Sequence, residues 1–332
     1  MKFDYVIGNP PYQEDDGGAQ ASARPIYQYF VEEAKRMEPG HISFIMPARW
    51  YSGGKGLDNF RDTMLNDEHI QTLHDYPITS DCFPGQNIRG GLCIFIWDSE
   101  YDNRENLVKV VNHIDGNPVV TQRSLKFEDI DIFIRYERAI DILKKVMSIS
   151  NNEVIAKYVS SRKPFGLSTD FTKSNDYKTT KEELIDPVKC YSKGMKVGYI
   201  ERNNILVHAD WIDCYKVFTP RANNIGTELN DDNLNTFVVG ANTVCTESYI
   251  SIGADLGLDE SAAINMSEYL QTNFARFLHG IAKSSQDATS KTYRFIPMQD
   301  FTRKISDIEL YRKYDLTQEE IDFIESHVKE MV

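Results

Sequence analysis

Phe3-Asp4-Tyr5-Val6-Ile7-Gly8-Asn9-Pro10-Pro11-Tyr12 joins an apolar run to a loop of unusual chemistry. Phe3, Tyr5, Val6 and Ile7 favour extended backbone, so a strand is predicted over residues 3–8. Gly8 leads into the loop. Pro10 and Pro11 remove two backbone donors and fix two φ angles, so the loop offers carbonyls and the Asn9 amide oxygen without competing N–H groups. Tyr12 adds an aromatic face beside those acceptors. An acceptor pair with a stacking ring suits the exocyclic amine of a planar base drawn out of a duplex. A plain turn after a strand is the alternative, because Asn-Pro opens many turns.

Downstream of a polar, glycine-rich loop at 15–23, a helix is predicted over 25–37, with Pro25 in its first turn and Tyr27, Phe30, Ala34 and Met37 as its buried stripe. Gly40 closes the helix, and a strand follows over 41–46, ending at Pro47. Strand, helix, strand in this order is the repeat of a parallel α/β sheet. The pattern continues with Trp50, a glycine-rich turn (Gly53, Gly54, Gly56), a helix at 57–66 and a strand at 70–76. A strand at 92–97 follows a loop holding Phe83, Pro84 and Gly85. A hairpin partner at 107–113 ends in the turn Asp115-Gly116. A helix over 132–148, striped with Tyr136, Ile140, Leu143 and Met147, leads out of this region. Beyond it, short strands are predicted at 196–200, 205–208, 214–218 and 236–239, then a helix over 258–283 and a strand-like stretch at 293–296. Thr317 with Glu320 as a capping box begins a final helix.

The chain has 332 residues, enough for about two domains. Its 41% hydrophobic and 26% charged content is ordinary for a soluble protein. No apolar run reaches about 18 residues and no signal peptide is apparent, so a cytoplasmic location without membrane association is expected. Cys82, Cys93, Cys190, Cys214 and Cys245 are widely spaced with no Cys-x-x-Cys pair, and the histidines are scattered, so no metal site is predicted. A net charge of −13 argues against coating of nucleic acid by the whole surface. Between Ala156 and Arg221, however, lysines and arginines outnumber acids. A local basic groove and a merely solvated face both fit that segregation.

Asn9-Pro10-Pro11-Tyr12 resembles the signature loop of S-adenosylmethionine-dependent amino methyltransferases, above all the DNA adenine-N6 enzymes. The resemblance implies that Asn9 and the Pro10 carbonyl accept hydrogen bonds from the adenine amino group, and that Pro11 and Tyr12 complete the catalytic loop. Rate would come from positioning and from acceptors placed where positive charge grows on nitrogen. The aromatics of the next helix (Tyr27, Phe30), the strand ending at Phe44 to Pro47 with Trp50, and Phe83 follow in the family's order. Phe83 is thereby assigned to the target adenine opposite Tyr12, and Phe30 to the cofactor, with core packing as the alternative for each.

The back half is similar to the C-terminal half of Eco57I-type restriction-modification methylases, through Arg162-Lys163-Pro164-Phe165-Gly166-Leu167, Thr246-Glu247-Ser248-Tyr249, Asn273-Phe274-Ala275-Arg276-Phe277 and Leu310-Tyr311-Arg312-Lys313-Tyr314. In that family this half holds the target-recognition domain. Arg162, Lys163 and Phe165 would then contact double-stranded DNA at phosphates or base edges. The implied fold class is α/β: a partial, Rossmann-like methyltransferase sheet followed by an α+β target-recognition domain. Its expected division is 1–130 for the partial catalytic domain, 131–150 for a connector helix and 151–332 for the recognition domain with its C-terminal helices.

The family also implies an S-adenosylmethionine site with a glycine loop, normally ahead of Asn-Pro-Pro-Tyr. The nearest candidate here, Ser251-Ile252-Gly253-Ala254-Asp255-Leu256-Gly257, reads as a turn before a helix. The chain is therefore expected to be the C-terminal portion of a larger methyltransferase, partnered by a chain or upstream domain carrying the cofactor-binding half. The first strand is expected to present an apolar edge. Two further readings stand beside this one: a non-catalytic DNA-recognition module that needs a partner, and a protein-glutamine methyltransferase.

Overall fold

The computed structural model describes residues 3–14, 23–114, 117–128, 130–226, 231–283 and 286–331. Most of the predicted loop at 15–23 and the turn Asp115-Gly116 lie outside the described residues. The chain divides into two compact units, Met1–Ile140 and Asp141–Val332.

The first unit is built on strands β1 (Tyr5–Gly8), β2 (His41–Pro47), β3 (Ile70–Tyr76), β4 (Leu92–Asp98), β5 (Val108–Ile114) and β6 (Asn117–Arg123). Helix α1 (Tyr27–Arg36) joins β1 to β2, α2 (Asp58–Leu65) joins β2 to β3, and the short α3 (Asn103–Asn106) precedes β5. The sheet order is β1-β2-β4-β3-β5-β6. β1 and β2 pair in parallel, as do β3 and β5, while β4 is antiparallel to both β2 and β3. The predicted parallel sheet is thus mixed. The reason lies in the connections. A helical crossover returns the chain in the same direction, whereas β3 and β4 are joined by residues 77–91 without an α-helix, and such a connection produces an antiparallel neighbour. The stretch predicted as the hairpin partner of 92–97 does not pair with it: β5 lies on the far side of β3 and forms its own hairpin with β6.

Alternation along the strands sets the buried face. Ile42, Phe44 and Met46 of β2, Leu73 of β3, and Cys93, Phe95 and Trp97 of β4 share one core with Tyr27, Val31 and Ala34 of α1 and Phe60 and Met64 of α2. The predicted α1 stripe is corrected here. Val31 joins Tyr27 and Ala34 in the core, while Phe30 and Met37 are 43% and 48% exposed. Trp50 is fully buried and its Nε1 donates to Cys93 Sγ at 3.3 Å. Truncating such a side chain costs about 3–5 kcal/mol.

Helix α4 (Glu137–Ser150) begins later than predicted and crosses the division between the units. Residues ahead of it serve the first unit instead: Phe133 N donates to Tyr51 O at 2.9 Å, and Arg123 Nη2 donates to Ile134 O at 2.6 Å.

In the second unit, β7 (Pro187–Ser192), β8 (Lys196–Glu201) and β11 (Thr243–Cys245) form one three-stranded sheet. β9 (Lys216–Pro220), β10 (Phe237–Val239) and β12 (Tyr249–Ile252) form another. Their shared core includes Phe165, Val188, Ile200, Phe218, Val244 and Tyr249. Residues 205–208, predicted as a strand, form a loop, and 293–296, predicted as strand-like, are instead the last residue of a 3-10 helix at Ser290–Tyr293 and the turn after it. The helix predicted over 258–283 is two helices, α5 (Glu260–Leu270) and α6 (Asn273–Ile281), because Thr272 caps the second by accepting from Ala275 N. Helices α7 (Asp307–Lys313) and α8 (Gln318–His327) follow, each opened by a capping box, Ser306 with Glu309 and Thr317 with Glu320.

Candidate active site

The carboxyl ends of β1, β2 and β3 and the start of β4 share one edge of the first sheet, because β4 runs opposite to its neighbours. Loops at such an edge are where α/β sheets place ligands. Asn9 and Pro11 are exposed there, Pro10 is buried and Tyr12 is half-buried. The buried Pro10 ring anchors the loop, and the Asn9 side chain lies within reach of the Tyr12 hydroxyl. The far side of the loop is fastened to the start of α1: Ile26 N donates to Tyr12 O at 3.2 Å and Glu14 N to Arg24 O at 2.9 Å.

Burial pushes the Tyr12 phenol above its ordinary value, Cys82 and Cys93 add to the rise, and the Asn9 side chain opposes it. Cys82 stands on the connection between β3 and β4, next to Phe83, so that connection lies beside Tyr12. A clasp shapes it: Thr79 Oγ1 donates to Ile88 O at 3.0 Å and accepts from Ile88 N at 3.2 Å. Phe83, half-buried near the tip, donates its N–H to Thr79 O at 2.8 Å. At the base, Gly91 N donates to Ile88 O at 2.9 Å and Gly91 O accepts from Ala48 N at 3.0 Å, joining the connection to the loop after β2. Gly91 has φ +78, and a Cβ there would stand 2.2 Å from Tyr76 O, so only glycine fits.

Beneath these loops sits a pair missed from the sequence. Asp75 of β3 is fully buried, and Arg135 Nη1 bonds both its oxygens, at 2.9 and 3.2 Å, while Asn112 Nδ2 donates to Oδ2 at 3.1 Å. Burial pushes the carboxyl above its ordinary value, and Arg135, Tyr51 and Asn112 pull it back. Arg135 Nη2 also bonds Gly90 O, so one guanidinium links the strand to the connection bearing Phe83. The signal was available: an acid inside an apolar strand must find a cation or donors. Arg135 falls inside the helix predicted over 132–148, whereas the observed α4 starts only at Glu137.

The other predicted site residues separate. Phe30 is exposed on α1. Arg162 and Lys163 are exposed in the second unit, where Arg162 Nε bonds Glu247 Oε2 at 2.9 Å. Phe165 is 1% exposed and packs edge-on against Trp211 and Phe218, so it is corrected from a DNA contact to a core residue. Its aromatic character served packing, as most buried phenylalanines do.

Among the described residues, the glycine stretch at 251–257 does not form an S-adenosylmethionine pocket. Gly253 and Gly257 both have positive φ and flank a 3-10 turn ahead of α5, in whose first turn the Ala262 amide donates to the chain's own Asp259 carboxylate at 2.8 Å. An anionic group would meet that carboxylate rather than a free N–H donor at Ala262. β1, by contrast, is an edge strand bonded to β2 alone among the described residues. Phe3, Tyr5 and Ile7 on it are 42%, 65% and 76% exposed. No group of three or more His, Cys, Asp or Glu is placed to hold a metal among the described residues, and no described helix is long and apolar enough to cross a membrane.

Residues 1–83 match the family model described as Eco57I restriction-modification methylase. Over 164 residues, 46% of this chain, the sequence is 32% identical to an "Uncharacterized adenine-specific methylase" of Mycoplasma pneumoniae. The match covers 39% of that relative, so the chain spans about two fifths of its length. Among solved structures, the type IIL restriction-modification enzyme MmeI in complex with DNA is similar at 10% identity with a TM-score of 0.49, covering 99% of this chain and 55% of MmeI. The type IIG restriction endonuclease BpuSI is similar at 12% identity with a TM-score of 0.36, covering 97% of this chain and 49% of BpuSI.

Proposed function

We propose that this chain carries the catalytic loop and the target-recognition part of a restriction-modification DNA methyltransferase that modifies adenine at N6. The observation that supports this most is the Asn9-Pro10-Pro11-Tyr12 loop itself: a buried proline, an exposed amide and a half-buried ring at the carboxyl edge of the sheet. Adenine flipped from the duplex would rest on Tyr12, with Phe83 on its other face. Asn9 Oδ1 and the Pro10 carbonyl would accept from its amino group, which raises the availability of the nitrogen lone pair for attack. Phe30, exposed on α1, is the aromatic offered to the cofactor. The division proposed is a catalytic part over 1–130, a connector over 131–150 and a recognition part over 151–332.

The methyl donor, S-adenosylmethionine, needs residues beyond those described. The open edge of β1 supplies a place for them: an added strand would cover Tyr5 and Ile7 and satisfy the unpaired backbone groups. A partner chain or a further segment carrying the cofactor-binding half fits that edge.

The test is methyl transfer to duplex DNA with N6-methyladenine read by mass spectrometry, the chain being assayed together with any partner that co-purifies with it. Asn9→Ala should lower transfer by at least about a hundredfold while duplex affinity stays within a few-fold, since the acceptor acts as charge develops. Equal loss of both would remove the role assigned to Asn9.

A second reading is a DNA-recognition module that does not catalyse alone, favoured by the self-capped turn at residues 253–257, the nearest candidate for a cofactor loop. Calorimetry separates the two. S-adenosylmethionine binding to this chain alone would reject the module, and duplex binding without it would support the module. A protein-glutamine methyltransferase would not need the second compact unit, which counts against it.

A further inference from the structure

The second unit contains an open cleft of about 400 Å3 whose lining includes Ser161, Arg162, Arg221, Asp287, Thr289 and Lys291. Two of its cations are held by carboxylates. Arg162 Nε bonds Glu247 Oε2 at 2.9 Å, and Glu247 is itself fixed because its Oε1 accepts from Thr169 N at 3.1 Å. Arg221 Nη1 bonds Asp287 Oδ1 at 2.8 Å. The Arg221 backbone is pinned from both sides, its N donating to Ser248 O at 2.9 Å and its O accepting from Ala288 N at 2.6 Å. Carboxylates that bond one nitrogen of a guanidinium hold its plane and leave other N–H groups to face an incoming anion. Lys291 is exposed at the start of the 3-10 turn and has no anionic partner among the described residues.

Which anion fits follows from the rest of the lining. Apart from Ile250 and Ala288 its residues are polar or charged by type, though much of what they expose is side-chain carbon, and it includes no aromatic ring, so a nucleobase would find nothing to stack on. The hydroxyls of Ser161 and Thr289 stand on exposed residues beside the cations, the donor types that bind phosphate oxygens. Counting Glu247 and Asp287 against Arg162, Arg221 and Lys291 leaves a surplus of positive charge on a chain whose net charge is −13. An open cleft also admits a continuous strand, which a closed pocket for a free nucleotide would not.

We propose that this cleft grips backbone phosphates of duplex DNA, with Arg162, Arg221 and Lys291 as their ligands, and positions the duplex without reading its sequence. This rests on the function proposed above and adds the place where the second unit holds the polymer. Lys163, exposed but not part of the cleft lining, has no role in it.

The experiment uses the full chain and two fluorescently labelled DNA duplexes of unrelated sequence, with anisotropy measured across a salt series. Arg162→Gln and Lys291→Gln should each weaken both duplexes by about tenfold and reduce the slope of log affinity against log salt by about one. Lys291→Gln should leave thermal unfolding unchanged, because its side chain is exposed; Arg162→Gln removes the ion-pair partner of the buried Glu247, so that variant's affinity is measured at a temperature where its unfolding curve shows it folded. Unaltered slopes in both variants would overturn the cleft while leaving the proposed function standing. A loss confined to one of the two sequences would overturn the claim that the cleft does not read bases. Tighter binding of an RNA duplex than of DNA would overturn the choice of polymer, and failure of the unaltered chain to bind any duplex at low salt would overturn both proposals.

Discussion

Arg135 spans from Asp75, whose two oxygens its Nη1 bonds at 2.9 and 3.2 Å, to the carbonyl of Gly90. The contact joins a fully buried carboxylate in the middle of the sheet to the connection that carries Phe83 and, next to it, the Cys82 that lies near Tyr12. Arg135 also lies over the Tyr51 ring, 5.1 Å from its centroid. Its loss would be felt in the fold and at the site together.

Removing one member of a buried pair leaves the other charged and unpaired, at a cost of about 3–5 kcal/mol. Arg135→Met is therefore expected to lower the urea unfolding free energy by about that much, and Asp75→Leu in the same chain to restore most of it. A loss below about 1 kcal/mol in Arg135→Met would show that water or Asn112 satisfies Asp75 without the arginine.

Gly91 and Gly85 make a controlled comparison, since both have positive φ and both lie on the connection between β3 and β4. A Cβ at Gly91 would collide with Tyr76 O at 2.2 Å and Pro77 O at 2.8 Å, whereas one at Gly85 meets nothing within 4 Å. Gly85→Ala should cost only the left-handed backbone penalty, about 1–2 kcal/mol. Gly91→Ala should cost clearly more in the same denaturant titration, and equal costs would show that the backbone at Gly91 shifts freely.

His279 of α6 is fully buried, with its ring centroid 4.4 Å from that of Tyr293. Burial, reinforced by Lys283, holds its pKa well below the ordinary histidine value. The unfolded chain therefore binds a proton near pH 6.5 that the folded chain refuses. Protonation of the unfolded state makes unfolding easier as pH falls, so this stability is present above about pH 6.5 and is lost progressively below it. His279→Phe should flatten the stability profile between about pH 6.5 and 5. An unchanged slope in that window would mean the acid sensitivity lies elsewhere.

Local chemistry was legible along the chain. The strand at β1, the C-terminal ends of α1 and α2 to within a residue, β3 to the residue, and the capping box of Thr317 and Glu320 follow from neighbours a few positions apart. Errors gathered where a choice depends on distant chain. Phe30 and Val31 both fit a helical stripe, and only the position of α1 against β2 puts Val31 inside and Phe30 outside. Phe165 sits in a basic loop, and nothing local shows that Trp211 and Phe218 enclose it. The break between α5 and α6 was a local miss, because Thr272 and Asn273 carry capping chemistry within an otherwise helical run.

The chemistry of Asn9-Pro10-Pro11-Tyr12 needed no coordinates, because two prolines, an amide and a ring limit what a loop can offer wherever it stands. Tertiary structure was needed to show what surrounds it. Insertion of β4 between β2 and β3 brings the connection with Cys82 near Tyr12, and the long reach from Arg135 to Asp75 and Gly90 holds that connection. Strand order and buried ion pairs join residues far apart in the chain, and such pairings are selected by which faces and edges remain unburied when the whole sheet assembles. That selection is a property of the assembled unit, and no window of local sequence contains it.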